Sequence, residues 1–139
     1  FALDKKKKRT VTEGVPVQRH QRIMIIDGDV LNSELIETRL ESLGFMVETV
    51  TQGKDALDLL KIEWFDLILL SITLQDGMNG FQVLKEIRYQ KAYQKTPVIV
   101  LTKKHGMRDV LEQCDIQGFY KKPYSVDAVL SKVKKLISK

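Results

Sequence analysis

The chain has 139 residues, 43% of them apolar, which is enough to bury one hydrophobic core without disulfides or a structural metal and leaves no room within these residues for a second domain. Its single cysteine, Cys114, excludes an internal disulfide framework and is typical of a reducing compartment. No apolar run approaches the length of about 20 residues that a membrane span needs, and no signal-peptide core is present, so we expect a soluble, cytoplasmic protein.

The net charge of +5 is confined to the N-terminal end of the chain. Residues 1–22 hold seven of the 23 basic and two of the 18 acidic side chains, so the remaining residues carry 16 of each. Residues 1–21 contain the basic run Lys5–Arg9 and have no apolar period. We therefore interpret 1–21 as a basic flexible leader or linker and 22–139 as the folded domain. Nucleic-acid binding is not favoured, because the basic run lacks interleaved aromatic residues and a recognition-helix motif.

Three short apolar runs are typical of strands buried on both faces of a parallel sheet. Each is four residues long and ends at a polar residue: Ile23–Ile26 before Asp27, Leu67–Leu70 before Ser71, and Val98–Leu101 before Thr102. Two further strands are predicted, one around Val47 and one at 118–120. Because ligands bind at the carboxyl ends of strands in open α/β sheets, the polar residues at these ends decide the chemistry.

Helical periods separate the predicted strands. One helix is predicted after the first strand and ends at Gly44, a second ends near Trp64, and a third begins at Phe81. A last helix has Ser125 as its N-cap and closes the chain. The segment 103–117 predicts only a short or weak helix. Trp64 is interpreted as a packing residue without a stacking partner. The alternation predicts an α/β fold with a doubly wound, five-stranded parallel sheet of flavodoxin-like order 2-1-3-4-5 and helices on both faces.

That strand order places one set of polar residues at the same edge of the sheet, since the first and third strands become neighbours. The set consists of Asp27, Asp29, Ser71, Thr102 and Lys122. We therefore predict a pocket at this edge.

Five segments together resemble the receiver domain of two-component response regulators, the CheY-like family, over residues 22–139. They are the strands ending at Asp27, Ser71 and Thr102, the Gly-Met-Asn-Gly-Phe sequence at 77–81, and Lys-Lys-Pro-Tyr at 121–124. The resemblance implies a signalling module rather than an enzyme. In the family, an aspartate after the third strand accepts a phosphoryl group from a histidine kinase. Mg²⁺ is held there by that aspartate, an acidic pair after the first strand, and a backbone carbonyl just beyond the acceptor.

The residues matching two of these metal ligands have changed. Ser71 stands at the acceptor position, and its un-ionised hydroxyl is a poor nucleophile and a poor Mg²⁺ ligand beside a carboxylate. Gly28 stands where the family's second acidic residue contacts the metal, so Asp27 is the only matching ligand; Asp29, one residue further on, is an acidic remnant with reversed side-chain direction. The turn Gln75–Met78 is one residue longer than in the family. We expect no metal, no cofactor and no phosphorylation, and hence a degenerate pseudo-receiver.

Other residues that match functional positions of the family are retained. Thr102 matches the hydroxyl that bonds the phosphoryl group, Lys122 the lysine that pairs with acceptor and phosphate, and Phe119 the aromatic switch residue. Without a phosphoryl group, we expect Lys122 to pair with Asp27. Lys103 replaces a small residue of the family and is expected over the pocket mouth.

Two functions therefore stay open at this point. One is a binding module that acts through protein-protein interaction on the family's output surface, formed by the last two helices and the strand between them. Residues 101–139 hold nine basic and four acidic side chains, against seven and twelve in 23–100, so the expected partner is acidic; a histidine kinase or another two-component protein is a further candidate. The alternative is a functional phospho-accepting receiver with an altered site that uses Mg²⁺.

Overall fold

A five-stranded parallel sheet organises the computed structural model, which describes residues 20–103 and 115–137. The strands are β1 Arg22–Ile26, β2 Met46–Val50, β3 Leu67–Ser71, β4 Val98–Thr102 and β5 Gly118–Lys121. Their order is β2-β1-β3-β4-β5, and each neighbouring pair is parallel. The predicted α/β class and flavodoxin-like strand order are confirmed.

Helices connect the strands on both faces of the sheet. They are α1 Val30–Ser42, α2 Gly53–Ile62, α3 Gly80–Tyr89 and the C-terminal helix Val126–Ile137, with a 3₁₀ turn at Lys91–Tyr93. The weak helix predicted between β4 and β5 falls mainly on residues 104–114, which lie outside the described residues. Within the described ranges, none of the helices has the length and apolar character needed to cross a bilayer.

Two apolar cores lie on opposite sides of the sheet because successive side chains of a strand alternate in direction. In β3, Ile68 and Leu70 join the core under α2 and α3, while Leu67 and Leu69 join the core under α1 and the C-terminal helix. All five residues of β3 are buried. Helices on both faces therefore explain why β3 is apolar at consecutive positions rather than at alternate ones.

The segment between β3 and α3 is fixed where it rejoins the helix. Asn79 caps α3 by accepting from the Phe81 N–H at 2.7 Å, and Gln82 Oε1 accepts from the Asn79 N–H at 3.0 Å, which completes a capping box. Gly80 lies so close to β3 that a Cβ there would be 2.4 Å from the Ser71 carbonyl oxygen. Only glycine allows α3 to begin this close to the strand.

The expectation that Trp64 has no stacking partner is wrong. Its ring stacks on Tyr93 at a centroid distance of 5.0 Å and an interplanar angle of 17°. Tyr93 is buried, and its hydroxyl donates to the Glu63 carbonyl at 2.8 Å. The partner lies in the 3₁₀ turn, far along the chain, so no local pattern around Trp64 could indicate it.

Candidate functional site

Three polar side chains from different strand ends meet in the buried part of the site. Lys122 Nζ donates to Asp27 Oδ2 at 2.9 Å, to Asp27 Oδ1 at 3.1 Å and to Ser71 Oγ at 3.3 Å. The exposed fractions of Lys122, Asp27 and Ser71 are 8%, 2% and 3%. A buried ion pair is stable only when each charge meets its partner and the remaining hydrogen-bonding groups are satisfied. The convergence of strand ends predicted from the topology thus brings these three residues into contact.

The Asp27 carboxylate accepts two further hydrogen bonds from α1 and its approach. The Asp29 N–H donates to Oδ1 at 2.9 Å, and Asn32 Nδ2 donates to Oδ2 at 3.2 Å. A carboxylate offers about four acceptor positions. The two hydrogen bonds from Lys122 and those from Asp29 and Asn32 use these four positions.

Asn32 and Tyr124 extend this network, and the sequence analysis missed both. Asn32 Nδ2 also lies 3.0 Å from the Tyr124 hydroxyl oxygen, to which it donates. Burial raises the pKa of the Tyr124 hydroxyl, and the Asn32 hydrogen bond opposes that rise. These two residues link α1 to the segment after β5. No spacing or composition in either segment indicates that they meet.

Asp29 lies at the rim of the site and acts as the N-cap of α1. Its Oδ1 accepts from the Asn32 N–H at 3.3 Å. Since a carboxylate at this position also complements the positive end of the helix dipole, its geometry is explained by helix capping.

A cavity of about 270 Å³ opens beside this cluster. Its lining consists of Asp27, Gly28, Asp29, Ser71, Thr73, Leu74, Gln75, Lys103 and Lys122. Lys103 is thus at the cavity, where the sequence predicted it. The charged lining residues are two acidic and two basic side chains, so the cavity carries no excess negative charge to attract a divalent cation.

The space next to Gly28 is filled by backbone of the segment after β3. The Gly28 N–H donates to the Thr73 carbonyl at 3.3 Å, and Gln75 Nε2 donates to the Gly28 carbonyl at 2.9 Å. A Cβ on residue 28 would lie 2.9 Å from the Thr73 carbonyl oxygen and 3.2 Å from Leu74 Cα. A side chain can enter this space only if the backbone moves.

The residues present do not fit the Mg²⁺ site that the family resemblance implies. Thr73 lies two residues after Ser71, and its carbonyl accepts from the Gly28 N–H. Within residues 20–103 and 115–137, no group of three or more His, Cys, Asp or Glu side chains is placed to hold a metal ion. Octahedral Mg²⁺ normally needs one or two carboxylates, which Ser71 and Gly28 do not supply.

Thr102 and Phe119 occupy neighbouring strands. Thr102 is buried at the end of β4, and its carbonyl accepts from the Lys122 N–H at 2.7 Å. Phe119 in β5 is half-buried and packs against the core under α2 and α3. Neither is among the described residues that line the cavity. The structure therefore joins Asp27, Ser71 and Lys122 directly, with Asp29 at the rim and Thr102 attached through its backbone.

Comparisons with known proteins agree with this architecture. Residues 23–134 match the family model described as the response regulator receiver domain. Similar proteins include the cell cycle response regulator CtrA of Brucella ovis, 30% identical over 118 residues, which are 84% of this chain and 50% of that protein. The chain thus spans about half the length of the curated relatives it matches.

Two solved structures with a similar fold contain Mg²⁺. The receiver domain of the sensor histidine kinase PA1611 of Pseudomonas aeruginosa PAO1, with magnesium in its active-site cleft, has a TM-score of 0.77 and 26% identity, covering 87% of this chain and 100% of that one. The response regulator TrrA of Thermotoga maritima, in complex with Mg²⁺ and BeF, has a TM-score of 0.75 and 29% identity, covering 84% and 99%.

Proposed function

This chain belongs to the response regulator receiver domain family, and we propose that it is a two-component signalling module which is not phosphorylated and acts by binding another protein. The observation that carries the proposal is the state of residue 71. The acceptor in the family is an anionic carboxylate, whereas Ser71 presents a neutral hydroxyl that accepts a hydrogen bond from Lys122. Lys122 acts there as a donor, and an ammonium group has no lone pair with which to take the serine proton.

The residues at the expected Mg²⁺ site also support this proposal. Phosphoryl transfer to a receiver needs Mg²⁺ beside the acceptor, and Gly28 supplies no carboxylate to hold it. The Asp27 carboxylate is already engaged by Lys122, Asp29 and Asn32. Both the nucleophile and the cation site are therefore altered, and a change at either would impair phosphoryl transfer.

Receiver domains interact with histidine kinases or other proteins, and we propose an acidic protein partner for this one. Lys134 and Lys135 are exposed on the C-terminal helix. Asp127, on the same helix, is paired with Arg39 of α1 at 2.6 Å. The exposed charge of this surface is thus mainly positive, which steers association with an acidic surface. We further propose that residues 1–21 serve as a basic linker outside the domain.

A phospho-accepting receiver with an altered site is the second candidate. It is favoured by one observation, the cavity of about 270 Å³ that lies open beside Ser71 and Asp29 with Lys122 at its wall. In that case Asp27, Asp29 or Ser71 would accept the phosphoryl group with Mg²⁺ present.

Incubation of the full chain with Mg²⁺ and acetyl phosphate separates the two candidates. Intact-mass spectrometry should find no phosphoryl adduct on this chain under conditions in which an ordinary receiver domain, such as TrrA, is modified. An adduct that maps to Asp27, Asp29 or Ser71 would establish the second candidate and overturn the first.

The partner surface is tested by charge reversal. Lys134→Glu/Lys135→Glu should lose the proteins that the wild-type chain captures by cross-linking in its native cells. The matched control, Lys61→Glu/Lys85→Glu, reverses two exposed lysines on α2 and α3 and should capture them as before. Equal capture by both variants would remove the basic surface from the proposal.

A further inference from the structure

The segment between β3 and α3, residues 72–79 and here called the strap, crosses the carboxyl end of the sheet and is tied down on both sides. On the β1 side, Thr73 accepts from the Gly28 N–H at 3.3 Å, and Gln75 Nε2 donates to the Gly28 carbonyl at 2.9 Å. On the β2 side, the Gln75 N–H donates to the Thr51 carbonyl at 2.9 Å. The strap thus connects the ends of three strands.

Asp76 fastens the strap to α2. Its carboxylate accepts from the backbone N–H groups of Gly53 at 3.2 Å, Lys54 at 3.0 Å and Met78 at 3.2 Å. The first N–H groups of a helix have no partner within the helix. Gln52, the N-cap residue of α2, makes no side-chain capping bond. Asp76 therefore supplies from the strap the cap that α2 lacks in its own sequence.

The strap also packs closely against the start of α2. A Cβ on Gly53 would lie 2.8 Å from Met78 Sδ and 3.0 Å from Met78 Cβ. The absence of a side chain at Gly53 therefore lets the strap lie close to the start of α2, where Asp76 hydrogen-bonds to it.

We propose that the strap, held by Asp76, occupies the place beside residue 28 in which a metal-binding side chain would lie. This inference rests on the proposed function, since it concerns a pocket that does not bind a cation. It has a specific consequence: carboxylates at positions 28 and 71 alone do not restore a cation site, because the strap backbone fills the space beside residue 28. The strap must be released as well.

The first test asks whether Asp76 holds the whole strap in place. Amide hydrogen exchange of the full chain is measured in metal-free buffer with a chelator. Asp76→Ala should speed exchange about tenfold at Gly28 and Gln75, as well as at Gly53 and Lys54, because losing the anchor frees the whole strap. The control Asp55→Ala removes another acidic residue from the first turn of α2 and should leave Gly28 and Gln75 unchanged. Faster exchange at Gly53 and Lys54 alone would make Asp76 a local helix cap and overturn the proposal.

The cation consequence is tested with Mn²⁺ as the probe. Gly28→Asp/Ser71→Asp should bind Mn²⁺ about tenfold more weakly than the same variant carrying Gln75→Ala/Asp76→Ala. Equal Mn²⁺ affinities of the two variants would contradict the proposed role of the strap. If Gly28→Asp fails to fold, the hydrogen-exchange experiment tests the proposal by itself. Neither experiment contains a phosphoryl donor, so these results test the strap proposal independently of phosphorylation. Phosphorylation of the wild-type chain would reject the proposed function and is measured separately.

Discussion

We propose that the two halves of the pocket have diverged to different extents from the family pattern. On the β1–β3 half, the sequence motifs predict that Gly28 and Ser71 stand where carboxylates hold the metal and accept the phosphoryl group. On the β4–β5 half, Thr102 and Lys122 match the family. The difference follows the structural use of each residue: Lys122 neutralises the buried Asp27, whereas Gly28 and Ser71 leave no buried charge unpaired. In the retained half, Lys122 is therefore the partner of a buried charge.

The largest expected effect comes from the retained half. Lys122→Met leaves Asp27 buried without its counter-charge, so urea denaturation should show a loss of about 3–5 kcal/mol in the free energy of unfolding. The control Lys134→Met changes an exposed lysine of the C-terminal helix and should cost less than about 0.5 kcal/mol.

A second variant isolates the ion pair itself. Asp27→Asn/Lys122→Met removes both charges and should be more stable than Lys122→Met alone, because no unpaired charge stays buried. If Lys122→Met unfolds at the same urea concentration as the wild type, Lys122 is not structural and its retention requires a different explanation.

Gly28→Ala tests the altered half and should have the next largest effect. The new Cβ would lie 2.9 Å from the Thr73 carbonyl oxygen, so the strap must shift, and a loss of about 1–3 kcal/mol in stability is expected. Glu86→Ala, at an exposed position of α3, is the control and should change stability by less than about 0.5 kcal/mol. Wild-type stability of Gly28→Ala would mean that the strap does not fill this space in solution.

Ser71→Ala should change stability by less than about 1 kcal/mol. The variant removes one acceptor at 3.3 Å from Lys122, which keeps its contacts of 2.9 and 3.1 Å to Asp27. Thermal or urea unfolding measures the change. A loss as large as that of Lys122→Met would show that Ser71, and not Asp27, is the principal partner of the lysine.

Acidification should have the smallest effect, and its sign follows from Asp76. The hydrogen bond from the Lys54 N–H holds the pKa of the Asp76 carboxyl below its ordinary value of 3.8, and hydrogen bonds from Gly53 and Met78 act in the same direction. The ionised carboxylate therefore stabilises the fold above that value, and the contribution is lost as the pH falls through the lower folded pKa. The stability gap between wild type and Asp76→Ala should be constant near neutral pH and shrink below 3.8. A gap that persists in acid would contradict a role for the ionised carboxylate.

The sequence predicted the features that depend on local pattern and topology. The buried runs Ile23–Ile26 and Leu67–Leu70 identified two central strands, since only strands covered on both faces are apolar at consecutive positions. The strand order then required Asp27, Ser71 and Lys122 to converge, because parallel strands end at one edge. These predictions needed no knowledge of loop conformation.

The features that the sequence did not predict depend on loop conformation. The extra residue in the turn Gln75–Met78 was visible, but the capping of α2 by Asp76 requires that two distant backbone segments meet. The stacking of Trp64 on Tyr93 and the contact of Asn32 with Tyr124 are of the same kind. Residue type indicates that a group can cap or stack, whereas the tertiary fold decides with which partner.

We propose that this pocket binds neither a metal ion nor a phosphoryl group, and one titration decides the question. Amide NMR spectra of the full chain would be recorded alone, with Mg²⁺, and with Mg²⁺ and beryllofluoride, which mimics a phosphoryl group on a receiver aspartate. We expect the peaks of Asp27, Ser71, Thr102 and Lys122 to stay in place throughout. Saturable shifts of those peaks would show a pocket that still binds metal and phosphoryl mimic, and would contradict the conclusions drawn from Gly28 and Ser71.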